Sequence, residues 1–273
     1  MNDASTQQPL GGAVAADRPP GAVAIVIPAY QEAATIRDVV ERARTVLPRA
    51  PVIVVDDGST DGTAALAAGA GAVVLLSPQN QGKGAALRRG MQAALAGGAA
   101  FVATLDGDGQ HRPEDLPRLI ALAGPGHIVI GSRRGCADRQ PTARRIANRV
   151  ADFWISWAAR HPVRDSQCGF RLYPAAALAE LARYEGRAAG FAFESEVLID
   201  AARAGWPTVA VEIEVLYGAA LRRPSHFKPI ADIARIVKMV AGKLLARGMD
   251  PAGLVRSLRR DTAAAEREGI RSA

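Results

Sequence analysis

The chain has 273 residues, 49% of them hydrophobic, which suits one large globular domain with a substantial core. Its formal net charge of +7 favours anionic partners such as nucleotides, phosphates, acidic lipids or nucleic acid. Its two cysteines, Cys136 and Cys168, are too few for a metal cage or a disulfide framework and fit a reducing compartment.

The two ends of the chain differ in composition from its middle. Residues 1–21 have neither the basic start nor the apolar stretch of a signal peptide, and we expect a disordered leader there. No apolar run approaches the ~18 residues that a membrane-spanning helix needs. We therefore expect a cytoplasmic protein whose only membrane contact is peripheral, on the cytoplasmic face. The expected segments are this leader, an α/β domain at 22–228, an amphipathic helix at 229–249 and a charged tail at 250–273.

Short apolar runs alternate with helical segments through the first half of the chain. The runs show no clean two-residue period, which is typical of parallel strands buried on both faces. A helix at Lys83–Gly98 lies between two of them. This alternation predicts a mostly parallel, doubly wound α/β sheet with helices on both faces. The five predicted strands are Val23–Pro28, Pro51–Asp57, Ala72–Leu76, Ala100–Asp106 and His127–Arg133.

The second half reads as α+β and is expected to finish the same sheet. Arg144–Arg160 and Phe193–Gly205 have helical patterns, and Thr208–Tyr217 alternates like a strand with one less buried face. Ile230–Gly248 combines an apolar face with Arg and Lys, as an interfacial helix on anionic lipid does. The same pattern also suits a helix packed on the domain or on a second subunit. The apolar face consists of Ile230, Ile233, Val237, Val240 and Leu244.

The residues that follow each strand matter for function, because ligands bind at the carboxyl ends of strands in open α/β sheets. Asp56 and Asp57, after the second strand, can accept hydrogen bonds from a base or a ribose, although the segment also suits an ordinary turn and helix cap. After the third strand, "NQGKG" begins a helix with Lys83, an arrangement that attracts phosphate. By itself this loop is weak evidence, since the Walker pattern is absent.

The fourth strand is followed by "LDGDGQH", in which Asp106 and Asp108 are separated by one glycine. Two neighbouring carboxylates repel each other unless a cation lies between them. Oxygen ligands of this kind suit Mg²⁺ or Mn²⁺, which also takes phosphate oxygens from a substrate. The alternative is a solvated turn before the next helix, but the glycines allow a close approach that a plain turn does not need.

Several segments together resemble glycosyltransferase family 2, most closely its dolichol-phosphate mannosyltransferase or polyprenyl-phosphate branch. Each motif is modest alone, and the specificity comes from their order and spacing between Val23 and Phe227. The segments are "IPAYQEAATI", "VDDGSTDGT", "NQGKGAALRRGM", "LDGDGQHRPEDLP", "GSR" and "DSQCGFRLY".

The resemblance implies a GT-A fold and a metal-dependent, inverting transfer from a GDP- or UDP-sugar to a polyprenyl phosphate, without a covalent sugar–enzyme intermediate. Mg²⁺ or Mn²⁺ would be the cofactor. The implied donor site comprises Pro28, Ala29, Tyr30 and Glu32 in the first nucleotide turn, Asp56 and Asp57 at the base, and Gly82 and Lys83 near the nucleotide. The resemblance also implies that Asp106, Asp108 and Gln110 bind the metal and the diphosphate. It implies that Arg133 and Arg144 bind phosphate and that Glu196 lies near the sugar or acceptor.

A late motif departs from the family pattern. Relatives often have R-x-x-G-x-S-K where this chain has "RRPSHF", so His226 occupies the usual lysine position. A histidine can be neutral at pH 7. The cation expected here is therefore His226, Arg223 or Arg222.

Other functions stay open at this point. The acceptor could be a glycan or a small molecule, or the chain could bind nucleotide-sugars without catalysis. A haloacid-dehalogenase-type phosphatase also uses D-x-D, but on its first strand rather than its fourth. Nucleic-acid binding has only the charge in its favour, because no basic–aromatic motif is present. Cys168 fits buried packing better than a nucleophile, and Asp165 suits either a turn or the site. The oligomeric state is open.

Overall fold

The structure, a computed structural model, describes residues 22–133, 135, 142–181, 192–215 and 229–258, without the side chains of 142–144 and 229–233. Its centre is a seven-stranded sheet in the order β3-β2-β1-β4-β6-β5-β7. All neighbouring strands are parallel except β6, which is antiparallel to both β4 and β5. The strands are β1 Val23–Ala29, β2 Val52–Asp56, β3 Val73–Leu76, β4 Phe101–Thr104, β5 Ile128–Ser132, β6 Arg171–Pro174 and β7 Thr208–Glu212.

Helices pack around this sheet, and one short 3₁₀ turn at Pro113–Asp115 precedes α4. Within the described residues, no helix has both the length and the apolar character needed to cross a membrane. The helices are α1 Ile36–Val46, α2 Thr63–Gly69, α3 Lys83–Ala96, α4 Leu116–Ala121, α5 Thr142–Ala159, α6 Ala175–Leu181, α7 Ala192–Arg203, α8 Pro229–Leu245 and α9 Pro251–Ser257.

The predicted mostly parallel α/β sheet is confirmed, with differences at strand ends. β1 continues through Pro28 to Ala29, one residue past the predicted end. Proline is tolerated there because pairing with β4 stops at Val26, which leaves no partner on that side for its missing N–H. The last strand ends at Glu212 rather than Tyr217. Beyond it, Val215 forms only an isolated bridge with His111.

β3 is the strand at one edge of the sheet, and α3 packs against the strands β1 and β2. A Cβ at Gly90 would overlap Cγ1 of Val26 and lie 3.0 Å from Cγ2 of Val55, so the helix backbone lies directly against β1 and β2. This close contact fixes the start of α3, at Lys83, over the carboxyl ends of the strands.

The reversed strand β6 brings one more loop to that same edge. Arg171, its first residue, pairs with Thr104 at the end of β4 and with Ile130 in β5. The chain segment just before Arg171 therefore lies beside the loops that follow β4 and β5. We call this edge, formed by the ends of β1, β2, β4 and β5 and the start of β6, the substrate edge.

Candidate active site

The loops after β1 and β2 are joined into one unit at the substrate edge. The backbone N–H of Gln31 donates to Ser59 Oγ at 2.9 Å, and that of Glu32 donates to Thr63 Oγ1 at 2.8 Å. Gln31 adopts a left-handed φ of 58°, which turns the chain out of the strand. Pro28 and Ala29 thus end the strand, and Tyr30 and Glu32 lie immediately beyond it, with their roles in nucleotide binding still predictions.

Asp56 and Asp57 are both buried, and both organise turns. Asp56 Oδ1 accepts a hydrogen bond from Ser59 N at 2.8 Å. The two oxygens of Asp57 accept from Gln81 N at 2.9 Å and Gly82 N at 2.7 Å. Asp57 therefore holds the loop before α3 against the end of β2. Recognition of a base by either carboxylate remains a prediction, and it would use the lone pairs that these turns leave.

Lys83 is the first residue of α3 and connects two carboxylates. Gly82, which precedes it, has a φ of 90°, a conformation that lets the chain turn sharply into the helix. Lys83 Nζ lies 2.7 Å from Asp106 Oδ1 and 2.9 Å from Glu194 Oε2. Burial alone would lower the lysine pKa, but the two carboxylates raise it above its usual value. Lys83 is therefore a fixed positive charge at the site.

The carboxylates of Asp106 and Asp108 have opposite pKa shifts. Burial would raise the pKa of Asp106, but Lys83 and His111 hold it at about 2. The pKa of Asp108 is raised, first by burial and next by the negative charge of Asp106. Thr35 Oγ1 donates to the carbonyl of Gly107 at 2.7 Å, which ties this turn to the loop after β1. The result is a tethered turn in which two carboxylates lie close enough to repel each other.

This turn fits a hard divalent cation that shares its ligands with a substrate. The described residues contain no group of three or more His, Cys, Asp or Glu side chains arranged to hold a metal. Two carboxylates with a repulsive interaction are nevertheless present, and the amide of Gln110 follows them. Mg²⁺ and Mn²⁺ are commonly held by one or two carboxylates together with water and phosphate oxygens. Asp106, Asp108 and Gln110 are thus suitable ligands for such an ion.

Two glutamates on α7 face different partners. Glu194 lies at the site beside Lys83, whereas Glu196 lies 3.4 Å from Lys243 Nζ on α8. Residues two apart on a helix point about 200° apart, so both cannot face the substrate edge. The sequence motif "FESEVL" contained both acids, but the choice between them depends on how α7 is rotated. The predicted role of Glu196 stays a prediction, and the geometry favours Glu194 beside the aspartates.

Arg133 and Asp165 form a buried, two-pronged ion pair at the substrate edge. Arg133 Nε donates to Asp165 Oδ2 at 2.9 Å and Nη2 donates to Oδ1 at 2.6 Å. The backbone N–H of Arg133 adds a third bond at 2.7 Å. Burial would raise the pKa of Asp165, but Arg133 lowers it below its usual range. The sequence left Asp165 open between a turn and the site; it contacts a predicted site residue directly.

Arg171 is a fully buried residue that sequence reasoning missed. Its guanidinium donates to the carbonyls of Ser166, Cys168 and Glu194, each at 2.8 Å. It therefore joins the loop before β6 to the first turn of α7, which carries Glu194. The sequence signal was an arginine in an apolar segment, since Arg171 lies between Phe170 and Leu172. A guanidinium buried in such a segment requires several hydrogen-bond acceptors.

His111 and Cys168 pack together under the aspartate turn. Cys168 Sγ lies 3.6 Å from His111 Nε2, and both side chains are buried. Burial would lower the pKa of His111, but Cys168 and the two aspartates raise it to about 9. The packing role expected for Cys168 agrees with this placement.

Some predicted site residues lie outside the described part of the chain. These are Arg222, Arg223 and His226, together with the side chain of Arg144. The cation of the late motif and the second phosphate arginine therefore stay predictions.

Comparison with known proteins agrees with the resemblance seen in the motifs. The model of glycosyl transferase family 2 matches residues 24–181. Glycosyltransferase AglJ of Haloferax volcanii is 34% identical over 197 residues, covering 70% of this chain and 62% of that protein, less than two thirds of its length. Undecaprenyl-phosphate mannosyltransferase of Micrococcus luteus is 31% identical over 199 residues, covering 70% of this chain and 82% of that protein.

A solved structure agrees with the fold. Glucosyl-3-phosphoglycerate synthase from Mycobacterium tuberculosis, in complex with UDP, superposes with a TM-score of 0.59 at 22% identity, covering 84% of this chain and 80% of that one. The expected GT-A fold is thereby confirmed. This chain belongs to glycosyltransferase family 2, and its curated relatives include members of the polyprenyl-phosphate branch that its motifs resemble.

Proposed function

We propose that the chain transfers a sugar from a GDP- or UDP-sugar to a polyprenyl phosphate, with inversion and with a divalent metal. The observation that carries the proposal is the pair of mutually repelling carboxylates Asp106 and Asp108 at the substrate edge, with Lys83 in contact with Asp106 and Arg133 near it. The likeness to undecaprenyl-phosphate mannosyltransferase supports the lipid acceptor. Glucosyl-3-phosphoglycerate synthase, which has a similar fold, has been crystallised with UDP and Mn²⁺ and with UDP and Mg²⁺. This supports the proposed donor and cofactor.

The residues of the chain divide the work of binding and charge stabilisation. Asp106 and Asp108, with Gln110, would hold the metal, and the metal would supply positive charge to the departing diphosphate. Lys83 keeps Asp106 ionised and fixes its direction. Arg133 lies near enough to Asp106 to lower its pKa, and it would add positive charge beside the departing diphosphate.

The acceptor chemistry fits the absence of an evident general base among the described residues. A phosphate monoester is already ionised near neutral pH, so its oxygen can attack without losing a proton to the protein. Glu194 is held in an ion pair with Lys83. The protein would then act mainly by holding the two substrates in line.

The test is lipid-dependent release of nucleoside diphosphate. Purified protein is incubated with Mg²⁺ or Mn²⁺, undecaprenyl phosphate in detergent and a panel of UDP- and GDP-sugars. We expect one donor to be consumed only when lipid and metal are both present. The variant Asp108→Asn should lose this activity, whereas the exposed control Asp38→Asn on α1 should keep it.

Three results would contradict the proposal in different ways. Release that needs a hydroxyl acceptor would replace the lipid by a glycan or a small molecule. Release that EDTA leaves unchanged would remove the metal. Nucleotide-sugar binding without release from any donor would favour a non-catalytic binding protein.

A further inference from the structure

The direction of α5 follows from one contact near its C-terminal end and another near its middle. Near its C-terminal end, His161 Nε2 lies 3.0 Å from the carbonyl of Thr208, and Thr208 pairs with Ile128, the first residue of β5. Near its middle, Asp152 accepts hydrogen bonds from the backbone of Asp165 and Ser166, and Asp165 contacts Arg133 just past the end of β5. The helix therefore runs antiparallel to β5.

The first part of α5 extends beyond the substrate edge. Asp152 binds the segment that contacts Arg133 just past β5, and with the antiparallel direction this indicates that residues 142–151 extend beyond the end of the strand. Ten helical residues span about 15 Å, since each adds about 1.5 Å. This overhang is adjacent to the loop that carries Asp165, and hence to Arg133.

One face of α5 is apolar and exposed. Ile146 and Val150 are 56% and 53% exposed, and Phe153 and Trp154 are each 41% exposed. Their spacing of four, three and one puts them on one side of the helix. The rings of Phe153 and Trp154 are 5.3 Å apart, and Trp154 stacks on Trp157 at 5.4 Å. We call these four exposed side chains the α5 face.

The α5 face is attached to a firm support. Trp157 Nε1 donates to the carbonyl of Asp250 at 3.1 Å, which links α5 to the turn before α9. The carboxylate of Asp250 in turn binds Arg160 and Arg203. The exposure of the apolar face therefore belongs to a well-packed helix rather than to a loose end.

The exposed charges of α5 are basic. Asp152 is the only acidic residue of this helix, and it is buried. Among the described side chains of α5, Arg149 is exposed and Arg145 is partly exposed. Apolar and aromatic residues with basic neighbours are complementary to a membrane surface that contains anionic lipid.

A second copy of the chain fits this face less well. A two-fold dimer places the same patch of each copy against the other. Arg149 of each copy would then approach the basic α5 of the other, and α5 has no exposed acid to compensate, because its one acidic residue, Asp152, is buried. A bilayer supplies both the apolar interior and the negative headgroups.

The sequence left α8 open between an interfacial helix and a helix packed on the domain, and much of its apolar face is packed on the domain. Ile236, Val240 and Leu244 are buried in the core, and Lys243 binds Asp200 on α7 at 2.7 Å. Of the apolar residues predicted for that face, Val237 is exposed, Val240 and Leu244 are buried, and the side chains of Ile230 and Ile233 lie outside the described part of the chain. Val237 and Leu245 are exposed on α8, but α5 carries the aromatic part of the exposed apolar surface.

We propose that the α5 face docks the protein on a membrane that contains anionic lipid and thereby holds the substrate edge against the bilayer. The inference rests on the proposed function, because a polyprenyl phosphate presents its phosphate at the membrane surface. The overhang of α5 enters the interfacial layer, with Arg149 among the headgroups. Asp106 and Arg133 then lie beside the plane in which the acceptor phosphate lies.

The test is cosedimentation of the full chain with vesicles of phosphatidylcholine and phosphatidylglycerol. The double variant Ile146→Ser with Val150→Ser should bind about tenfold more weakly or worse, because two apolar side chains no longer leave water. Both residues are more than half exposed, so folding should not change. A second variant, Trp154→Ser, should weaken binding and reduce the shift in tryptophan emission on vesicle addition.

The matched control is Val237→Ser with Leu245→Ser, which removes two exposed apolar side chains from α8. It should bind vesicles like the unaltered chain. Equal binding of all variants, equal binding to vesicles of pure phosphatidylcholine, or a loss confined to the α8 control would overturn the proposal. So would a concentration-dependent dimer that the α5 variants abolish, because the occupant would then be a second copy.

Nucleoside diphosphate release in detergent separates this inference from the proposed function. The α5 double variant should keep the turnover of the unaltered chain there, because its site is intact. Lost vesicle binding with normal detergent turnover supports the docking surface. Vesicle binding without turnover of any donor supports the surface and contradicts the transferase.

Discussion

At the scale of single residues, Asp108 is expected to matter for catalysis and not for folding. Its pKa is raised by burial and by the charge of Asp106, so its ionised form is strained in the metal-free protein. Asp108→Asn removes that repulsion. We expect transfer to fall at least about a hundredfold while the melting temperature stays level or rises. The thermal shift caused by Mg²⁺ or Mn²⁺ should disappear. Normal turnover, or a large loss of stability, would contradict the assignment.

Lys83 is expected to stabilise the fold through charge. Its ammonium compensates both Asp106 and Glu194, which are partly withdrawn from water. Lys83→Met leaves two carboxylates without that cation, and we expect a cost of roughly 2 kcal/mol after allowance for partial exposure. Denaturant unfolding measures this cost, with Lys238→Met at an exposed position of α8 as the control. Added Mg²⁺ should restore part of the loss, and a cost equal to that of the control would contradict the pairing.

The pair of Arg133 and Asp165 gives an acid-dependent contribution to stability. Burial raises the pKa of the Asp165 carboxyl, but Arg133 lowers it by more. The pKa of Asp165 in the folded protein therefore lies below its value in the unfolded chain. The contribution is therefore complete above about pH 4 and is lost as pH falls through the folded pKa. Asp165→Asn should cost about 3 kcal/mol at neutral pH and should remove this slope from the unfolding curve. Arg133→Met should abolish or reverse this slope, because burial then dominates the pKa of Asp165. The double variant should cost little more than either single change.

The residue types at the site could be read from the sequence, but their pairing could not. Asp106 and Asp108 follow β4, whereas Lys83 follows β3, which lies three strands away. The packing of α3 across β1 and β2 brings Lys83 to Asp106, and that packing is tertiary. Whether Glu194 or Glu196 faces Lys83 depends on the rotation of α7, which packing decides. The contact of Arg133 with Asp165 joins residues 32 apart in the chain, and no local pattern records it.

At the scale of elements, the contact between α3 and the sheet gives a sharp test of packing. Gly90→Ala would force the new methyl group into Val26 and close to Val55, two residues of the central strands. We expect a loss of about 1–3 kcal/mol in unfolding free energy. The control is Gly242→Ala at an exposed position of α8, where a Cβ meets nothing within 4 Å. That change should be neutral or stabilising by about 0.5–1 kcal/mol, because alanine favours the helix. Equal effects would contradict the close packing.

The sequence predicted the parallel strands well and missed the antiparallel one. β1, β2 and β5 are apolar runs that burial on both faces requires, and such runs are visible without knowledge of the fold. β6 has only four residues, begins with a charged arginine and includes a proline. It is a strand because β4 and β5 flank it and because Arg171 finds acceptors in the loops. Both conditions are tertiary.

At the scale of the whole molecule, the net charge of +7 and the α5 face act in the same direction. In the docking that we propose, long-range attraction would bring the protein to an anionic bilayer, and the apolar face would then hold it with the substrate edge towards the lipid. Electrostatic attraction of exposed charges is screened by salt, because the Debye length falls from about 10 Å at 0.1 M to about 3 Å at 1 M. Membrane delivery and chemistry should therefore respond differently to ionic strength.

We expect transfer to undecaprenyl phosphate in anionic vesicles to fall steeply as sodium chloride is raised from 0.1 M to 1 M, the range over which the screening length shortens about threefold. Transfer to the same lipid in neutral detergent micelles should change much less, because the buried pairs of Lys83 and Arg133 are screened less than exposed charges. Initial rates in the two systems, with one donor and one metal concentration, measure the difference. Equal salt dependence in vesicles and micelles would mean that salt acts on the site itself, and the charge of the protein would then have no part in presenting the acceptor.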